Sequence, residues 1–283
     1  MQLPNDSDYA IFPDAGQSVA VPRFQTALVL IRSANDTREN DSVRISVPAN
    51  ADLFFWHWER GRFIGCNRTL ASRLRGQFPE QYGEKPEIPD SSITDLADFR
   101  QLLVELGMVP MLFGGTLLGW YRECGIIPHT TDLDMAAFAT DYSPLLLNRL
   151  KWNNRFKFHW MLGKPTDSLE LSVYVSGVKI DLFFIYHEGT NGSDWVGGMN
   201  VPKREKLRWN YPIIEDVCTG ELKGRLMFVP CNVEEVLSAD YGPRWDVPHL
   251  TKDFVWHSSH HNIEQHGRWS LSEMRSVYRT MLL

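Results

Sequence analysis

With 283 residues, 43% of them hydrophobic and 12% aromatic, the chain has ample material for one large domain or one and a half, with a real core. Thirty-five acidic against 29 basic residues give a net charge of −6. That balance excludes the basic face a bulk nucleic-acid binder needs, and makes any nucleotide a small ligand rather than a polymer. No run of about 18 apolar residues is present to span a membrane, and Met1–Asp8 lacks the basic and apolar regions of a signal peptide.

In chain order, residues 1–22 read as an irregular leader and 23–90 as a β-rich segment. In that segment Phe24–Arg32 and Val43–Val47 read as strands around the polar turn Ala34–Asp41, and the aromatic stretch Leu53–Ile64 as a second strand pair. Gln77–Ser91 carries three prolines and several charges and reads as a linker or long loop. Ser92–Leu106 is the clearest helix. Ile93, Leu96, Phe99, Leu102, Leu103 and Leu106 recur at helical spacing, and Gly107 fits the position just past the end. Val109–Phe113 is a short buried strand, Thr116–Tyr121 starts a helix, Thr131–Phe138 is a strand and Pro144–Trp152 a helix. Phe156–Met161, Leu169–Val175 and Val178–Tyr186 are strands, with Ser176-Gly177 where a tight hairpin turn is wanted. Met199–Tyr211, polar and basic, reads as a loop over the site, and Leu226–Val229 as a strand. Asn232 with Glu235, and Ser270 with Glu273, have capping-box spacing for helices over Asn232–Ala239 and Leu271–Leu282.

The candidate chemistry centres on Phe113–Ala136. Asp132 and Asp134 alternate with Leu133 and Met135, so a strand places both carboxylates on one face, where they can hold one hard divalent cation. Upstream, Gly114 and Gly115 let the backbone approach an anion, and Thr116 adds a hydroxyl. Asp181 lies inside the apolar strand VKIDLFFIY, where a lone carboxylate is costly unless paired, with Lys179 for instance, or metal-bound. It is a third metal ligand or a base for an attacking hydroxyl. Arg122, Lys164, Lys203 and Lys206 are cations that could neutralise a diphosphate. His257, His260, His261 and His266 match no common zinc spacing and read as a surface loop. Cys66, Cys124, Cys218 and Cys231 form no C-x-x-C pair; one or two disulfides fit, with no pairing legible. Five N-x-[ST] sequons, at Asn5, Asn35, Asn40, Asn67 and Asn191, hint mildly at a secreted or lumenal protein.

Several stretches fall into a longer pattern. They are RISVP at Arg44–Pro48, RFIGC at Arg62–Cys66, GTLLGWYRECGIIP at Gly115–Pro128 and DLD at Asp132–Asp134. DSLELS at Asp167–Ser172, KIDLFF at Lys179–Phe184 and the pair Gly197-Gly198 follow. VPC at Val229–Cys231, then Tyr241, Gly242, Trp245 and Pro248, and finally Gly267–Trp269 complete it. Over roughly residues 40–280, this order resembles the LicD, fukutin and fukutin-related family of phosphotransferases. The resemblance implies an α/β (α+β), nucleotidyltransferase-like mixed sheet flanked by helices over 91–283, with a glycine element, a D-x-D strand and a third acid on a neighbouring strand. It implies transfer of a phospho-alcohol, ribitol 5-phosphate ahead of phosphocholine, from a CDP-activated donor to a glycan hydroxyl in protein O-mannosyl glycosylation, releasing CMP. Mg²⁺ or Mn²⁺ would be held by Asp132 and Asp134, with phosphates cradled by the amides around Gly115, by Thr116 and by Arg122. A glycan or glycoprotein acceptor, a Golgi or ER lumen setting and a complex with related Golgi transferases are implied as well; the membrane anchor and longer stem of family members are a departure, since this chain begins after them, as a truncated gene model, a fragment or a soluble paralogue would. Two other classes share part of the signal. Nucleotide-sugar glycosyltransferases also use D-x-D, but without the upstream glycine-threonine element and third acid. A non-catalytic glycan- or partner-binding scaffold would not need all three acids.

Overall fold

The computed structural model describes residues 7–32, 42–83, 86–189, 192–249 and 255–280. The chain opens with β1 (Tyr9–Asp14), β2 (Gln17–Pro22), β3 (Thr26–Arg32) and β4 (Ser42–Pro48), then α1 (Ala51–Glu59), α2 (Arg68–Gln77), α3 (Pro79–Gly83) and α4 (Ser92–Glu105). Next come β5 (Met111–Leu112), α5 (Gly114–Glu123), β6 (Asp132–Phe138), a 3₁₀ turn and α6 (Leu146–Lys151). A run of strands follows: β7 (Lys157–Lys164), β8 (Asp167–Val175), β9 (Val178–His187), β10 (Asp194–Asn200), β11 (Glu205–Tyr211), β12 (Val217–Leu222) and β13 (Arg225–Pro230). The last elements are α7 (Val233–Tyr241), β14 (Ile263–Arg268), α8 (Leu271–Val277) and β15 (Tyr278–Thr280).

Among the described residues, eleven strands share one mixed sheet in the order β12-β13-β5-β6-β9-β10-β11-β14, with β8, β7 and β15 branching off beside β9. The branch point is β9. Along one side it pairs in parallel with β6. Along the other it pairs with β8 from Val178 to Phe183, then changes partner and pairs with β10 from Ile185 to His187. Its apolar residues Ile180, Leu182 and Phe184 are fully buried, as expected of a central strand covered on its face. Ser176 and Gly177, both at positive φ (50° and 84°), make the tight β8–β9 turn that fixes this register. Helices flank the sheet. In α4, Ile93, Leu96, Phe99 and Leu103 are almost wholly buried, and the helix packs on β13. It stops at Leu106, with Gly107 at φ +82° just beyond, as the sequence predicts. The α+β expectation of a mixed sheet flanked by helices therefore holds.

Other expectations need correction. Within the leader expected to be irregular, residues 9–22 form the β1–β2 hairpin. Tyr9, Val19, Ala20 and Val21 are buried there, and Asp8 Oδ1 accepts the Leu226 N–H at 2.8 Å. The hairpin is stabilised by docking on β12–β13, which a local pattern does not show. The stretch Leu53–Ile64, read as strands, starts within helix α1: Asn50 Oδ1 accepts the Leu53 N–H, and Phe54 and Trp58, four apart, meet on one face. So, among its described residues, 23–90 holds the β3–β4 pair and three helices rather than a β-rich segment, with α3 inside the expected linker. The turn Ala34–Asp41 lies outside the described residues. Met199–Tyr211 is no loop over the site. Lys203 and Arg204 lie on the β10–β11 turn, and Lys206 and Arg208 on β11, paired on one side with β10 and on the other with β14, which arrives more than fifty residues later. Strand β12 was not expected. Asn232 caps α7 by position only; its Nδ2 donates to Glu235 Oε2 and Ile213 O. The Ser270–Glu273 capping box does form, but α8 ends at Val277 and the chain turns into β15.

Both cysteine pairs are joined, Cys66 to Cys124 and Cys218 to Cys231. The first ties the end of α5 to the start of α2. Asn67 is the N-cap of α2, its Oδ1 accepting the Leu70 N–H at 3.0 Å. The other four sequons lie outside the described residues. No helix among the described residues is long and apolar enough to cross a membrane.

Candidate active site

The parallel register of β6 on β9 sets Asp134 across from Asp181 and Asp132 across from Lys179. Period-two alternation sends all four side chains to one face. One oxygen from each of Asp132, Asp134 and Asp181 lies within 4.8 Å of the others.

Asp134 is locked to the start of α5 by three hydrogen bonds. The Gly115 N–H donates to Asp134 Oδ2 at 3.0 Å, the Asp134 N–H to Thr116 Oγ1 at 2.7 Å, and the Phe113 N–H to Asp134 O at 3.2 Å. Gly114 makes the turn into the helix at φ +49°, and a Cβ there would stand 3.0 Å from Asp134 Oδ2. The first-turn amides of α5 thus face a carboxylate, the charge that a helix N-terminus favours.

Lys179 sits between the other two acids, its Nζ 2.7 Å from Asp181 Oδ2 and 3.1 Å from Asp132 Oδ2. Pairing of Asp181 with Lys179 and convergence of the three acids hold together; neither excludes the other. Burial pushes the Asp134 carboxyl well above the usual carboxylate range, and Asp132 and Asp181 push it further. Burial also raises Asp181, against the pull of Lys179. Glu170, on β8 and buried in the same cleft, is pushed far up by burial and then by Asp181. Burial opposes the charge on Lys179, but Asp181 and Asp132 outweigh it and hold the ammonium above the usual lysine range. Asp132, Asp134, Asp181 and Glu170 crowd around one ammonium, and the Ser172 hydroxyl of β8 also hydrogen-bonds Asp181. An all-oxygen donor set of three converging carboxylates fits a hard divalent cation such as Mg²⁺ or Mn²⁺.

The triad forms the floor of a cleft of about 1020 Å³. Trp160, Leu162 and Phe183 line one part of its wall, and Trp209, Tyr211, Tyr241, Trp245 and Trp256 another. Asp240, which lines the cleft beside this second wall, accepts from the Tyr211 hydroxyl at 3.2 Å and pairs with His260 Nδ1 at 2.6 Å. His260 is therefore turned inward and lines the cleft; His257 also borders the cleft but is exposed, as is His261, and His266 is exposed on β14 rather than in a loop.

Of the residues singled out from sequence, Gly114, Gly115, Arg122, Asp132, Asp134 and Asp181 line this cleft. Thr116 is buried behind it. Arg122 is held by Glu123 through Nε (3.2 Å) and Nη2 (2.7 Å), and donates from Nη1 to Trp245 O at 3.1 Å. Lys164 and Lys206 gather over the Trp269 ring, 5.5 and 4.4 Å from its centroid, and Lys206 also pairs with Asp167. Trp269 packs with Leu162 and Met199, which border the cleft. Lys203 is exposed on a turn. Sequence reasoning missed Glu170 and the Asp240–His260 pair. Glu170 carried a signal, an acid amid the apolar residues of β8. Asp240 and His260 are twenty residues apart and meet only in the fold.

Residues 107–232, from β5 through β13 and including all three aspartates, match the family described as LicD/FKTN/FKRP, nucleotidyltransferase domain. The chain belongs to the LicD and fukutin family. It is 35% identical over 242 residues to one uncharacterised Caenorhabditis elegans protein, covering 83% of this chain and 60% of that one. It is 36% identical over 242 residues to a second, covering 82% and 62%. With the Mus musculus ribitol-5-phosphate transferase FKTN it shares 31% identity over 242 residues, 84% of this chain and 50% of that protein. The chain thus spans between half and about three fifths of the length of these relatives.

Proposed function

We propose that the chain catalyses metal-dependent transfer of a phospho-alcohol from a CDP-activated donor to a glycan hydroxyl, releasing CMP. Ribitol 5-phosphate is the first candidate, because the mouse relative carries that activity in its name. The observation that carries the reading is the convergence of Asp132, Asp134 and Asp181 beside the N-terminus of α5. These three residues would hold a Mg²⁺ or Mn²⁺, which supplies positive charge to the donor diphosphate and to the leaving CMP. Lys179 orients the phosphate oxygens, while the first turn of α5 holds Asp134 in place for the cation. The rim of Lys164, Lys203 and Lys206 draws an anionic donor inward. The acceptor oxygen bonds to phosphorus as the bond to CMP breaks, and the hydroxyl proton passes to a carboxylate of the cluster. Apolar walls exclude water that would otherwise hydrolyse the donor, and their aromatic faces suit a pyrimidine or a sugar ring. Joining of all four cysteines as disulfides, and a sequon at Asn67, favour the Golgi or ER lumen as the working compartment. The test is nucleotide release, CMP from CDP-ribitol, CDP-choline or CDP-glycerol and UDP from UDP-sugars, with added Mg²⁺ or Mn²⁺ and a glycan acceptor. CMP release from a CDP-alcohol that stops in Asp134→Asn supports the reading; turnover of UDP-sugars alone overturns it.

A further inference from the structure

Lys179 is placed where a divalent cation would compete with it. Its register position across from Asp132 is fixed by the β6–β9 pairing, so the ammonium is delivered to the triad by the backbone. It engages Asp132 Oδ2 and Asp181 Oδ2 at once. The side chain is 26% exposed towards the cleft, on a flexible four-carbon stem that can turn to a new partner without moving the strand. The guanidinium of the cleft wall, Arg122, has no such latitude, since Glu123 and Trp245 O fix three of its nitrogens. A dication arriving alone meets one positive charge already seated on two of its three carboxylates. A diphosphate arriving with it gives that ammonium oxygen acceptors of its own.

We propose that Lys179 makes cation binding conditional on donor binding: the ammonium occupies the triad until the donor's phosphate oxygens take it over. The inference rests on the reading of Asp132, Asp134 and Asp181 as cation ligands, and it adds a regulation of that site. Metal and donor then bind with positive coupling, and by linkage each raises the affinity of the other by the same factor. Lys179→Met keeps the length of the side chain and removes the charge, so it releases the triad for the cation and abolishes the coupling.

The experiment is calorimetric titration of Mn²⁺, with no nucleotide and with saturating CDP, into the wild-type chain, Lys179→Met, Lys179→Arg and Asp134→Asn, with thermal melts to confirm that each is folded. In the wild type CDP should tighten Mn²⁺ roughly tenfold or more, equivalent to about 1.4 kcal/mol. Lys179→Met should bind Mn²⁺ alone tighter than the wild type by a similar factor, with little further gain from CDP, and Lys179→Arg should keep the coupling. Wild-type binding stronger than in Asp134→Asn, with Lys179→Met no tighter than wild type or with its coupling intact, overturns this inference and leaves the site reading standing. Mn²⁺ binding that is the same in all four chains overturns both.

Discussion

Thr116 offers a sharp test of how the site is built. Its hydroxyl accepts the Asp134 N–H at 2.7 Å, and the residue is 2% exposed, so no water can take over that amide. Thr116→Val keeps the shape and deletes the acceptor. A buried donor left without a partner costs about 1–3 kcal/mol. For a chain of this size each kcal/mol lowers the melting temperature by roughly 2–4 °C, so a fall of a few to about 10 °C is expected. The orphaned amide belongs to Asp134 itself, so the carboxylate shifts as the backbone seeks a new partner, and a displacement of about 1 Å can cost on the order of 10²-fold in rate. Thr116→Ser restores the oxygen and should recover most of both losses. Thermal melts and the CMP-release assay on the three proteins check this. A valine variant that melts and turns over like the wild type, or a serine variant no better than valine, would refute the reasoning.

Three further outcomes are expected. Asp134→Asn should abolish CMP release while melting at or above the wild-type temperature in chelator, because it replaces a carboxyl whose ionisation burial, Asp132 and Asp181 all oppose; a clear fall in melting temperature counts against this account. Replacing Cys66 and Cys124 together by serine releases a loop of 58 residues and should cost about 4 kcal/mol, against about 3 for Cys218 and Cys231, separated by 13. Denaturant unfolding of the two double variants would expose the reverse order. Burial, with Arg100 and Arg60, pushes His57 down from 6.5 to about 4. The unfolded chain takes up that proton first, so the stability is complete above pH 6.5 and is lost as the pH falls from about 6.5 to about 4. His57→Gln should flatten the melting temperature across that window; an unchanged slope rules His57 out as its source.

What could be read from sequence was whatever local periodicity encodes. Helix α4, strand β6 and the β8–β9 hairpin each announce themselves through spacing and turn residues within about fifteen positions. The three aspartates were legible for the same reason, since two share a strand and the third stands out in an apolar one. What was missed depends on distant partners. Strand β11 looks like a basic loop because the strands that pair with it, β10 and β14, are assigned only by the fold. The β1–β2 hairpin has one buried edge only because β13 receives it. His260 looks like a surface residue until Asp240 is found behind it. Lys179 was visible as a partner for Asp181, yet its contact with Asp132 follows from a parallel register that local pattern does not specify.

The change of partners along β9 has a bearing on how such a cleft diversifies. Below the fork lies an undivided stretch of sheet, β6 against β9, that carries the aspartates. Beyond it the sheet parts into two leaves, one of β7, β8 and β15, the other of β10, β11 and β14. Each leaf contributes its own wall, Trp160, Leu162 and Tyr278 from the first and Met199, Trp209 and Tyr211 from the second. Substitutions on either leaf alter the room above the triad and leave the pairing beneath it untouched. A lineage can therefore exchange the cargo it accommodates while inheriting the phosphate chemistry unaltered.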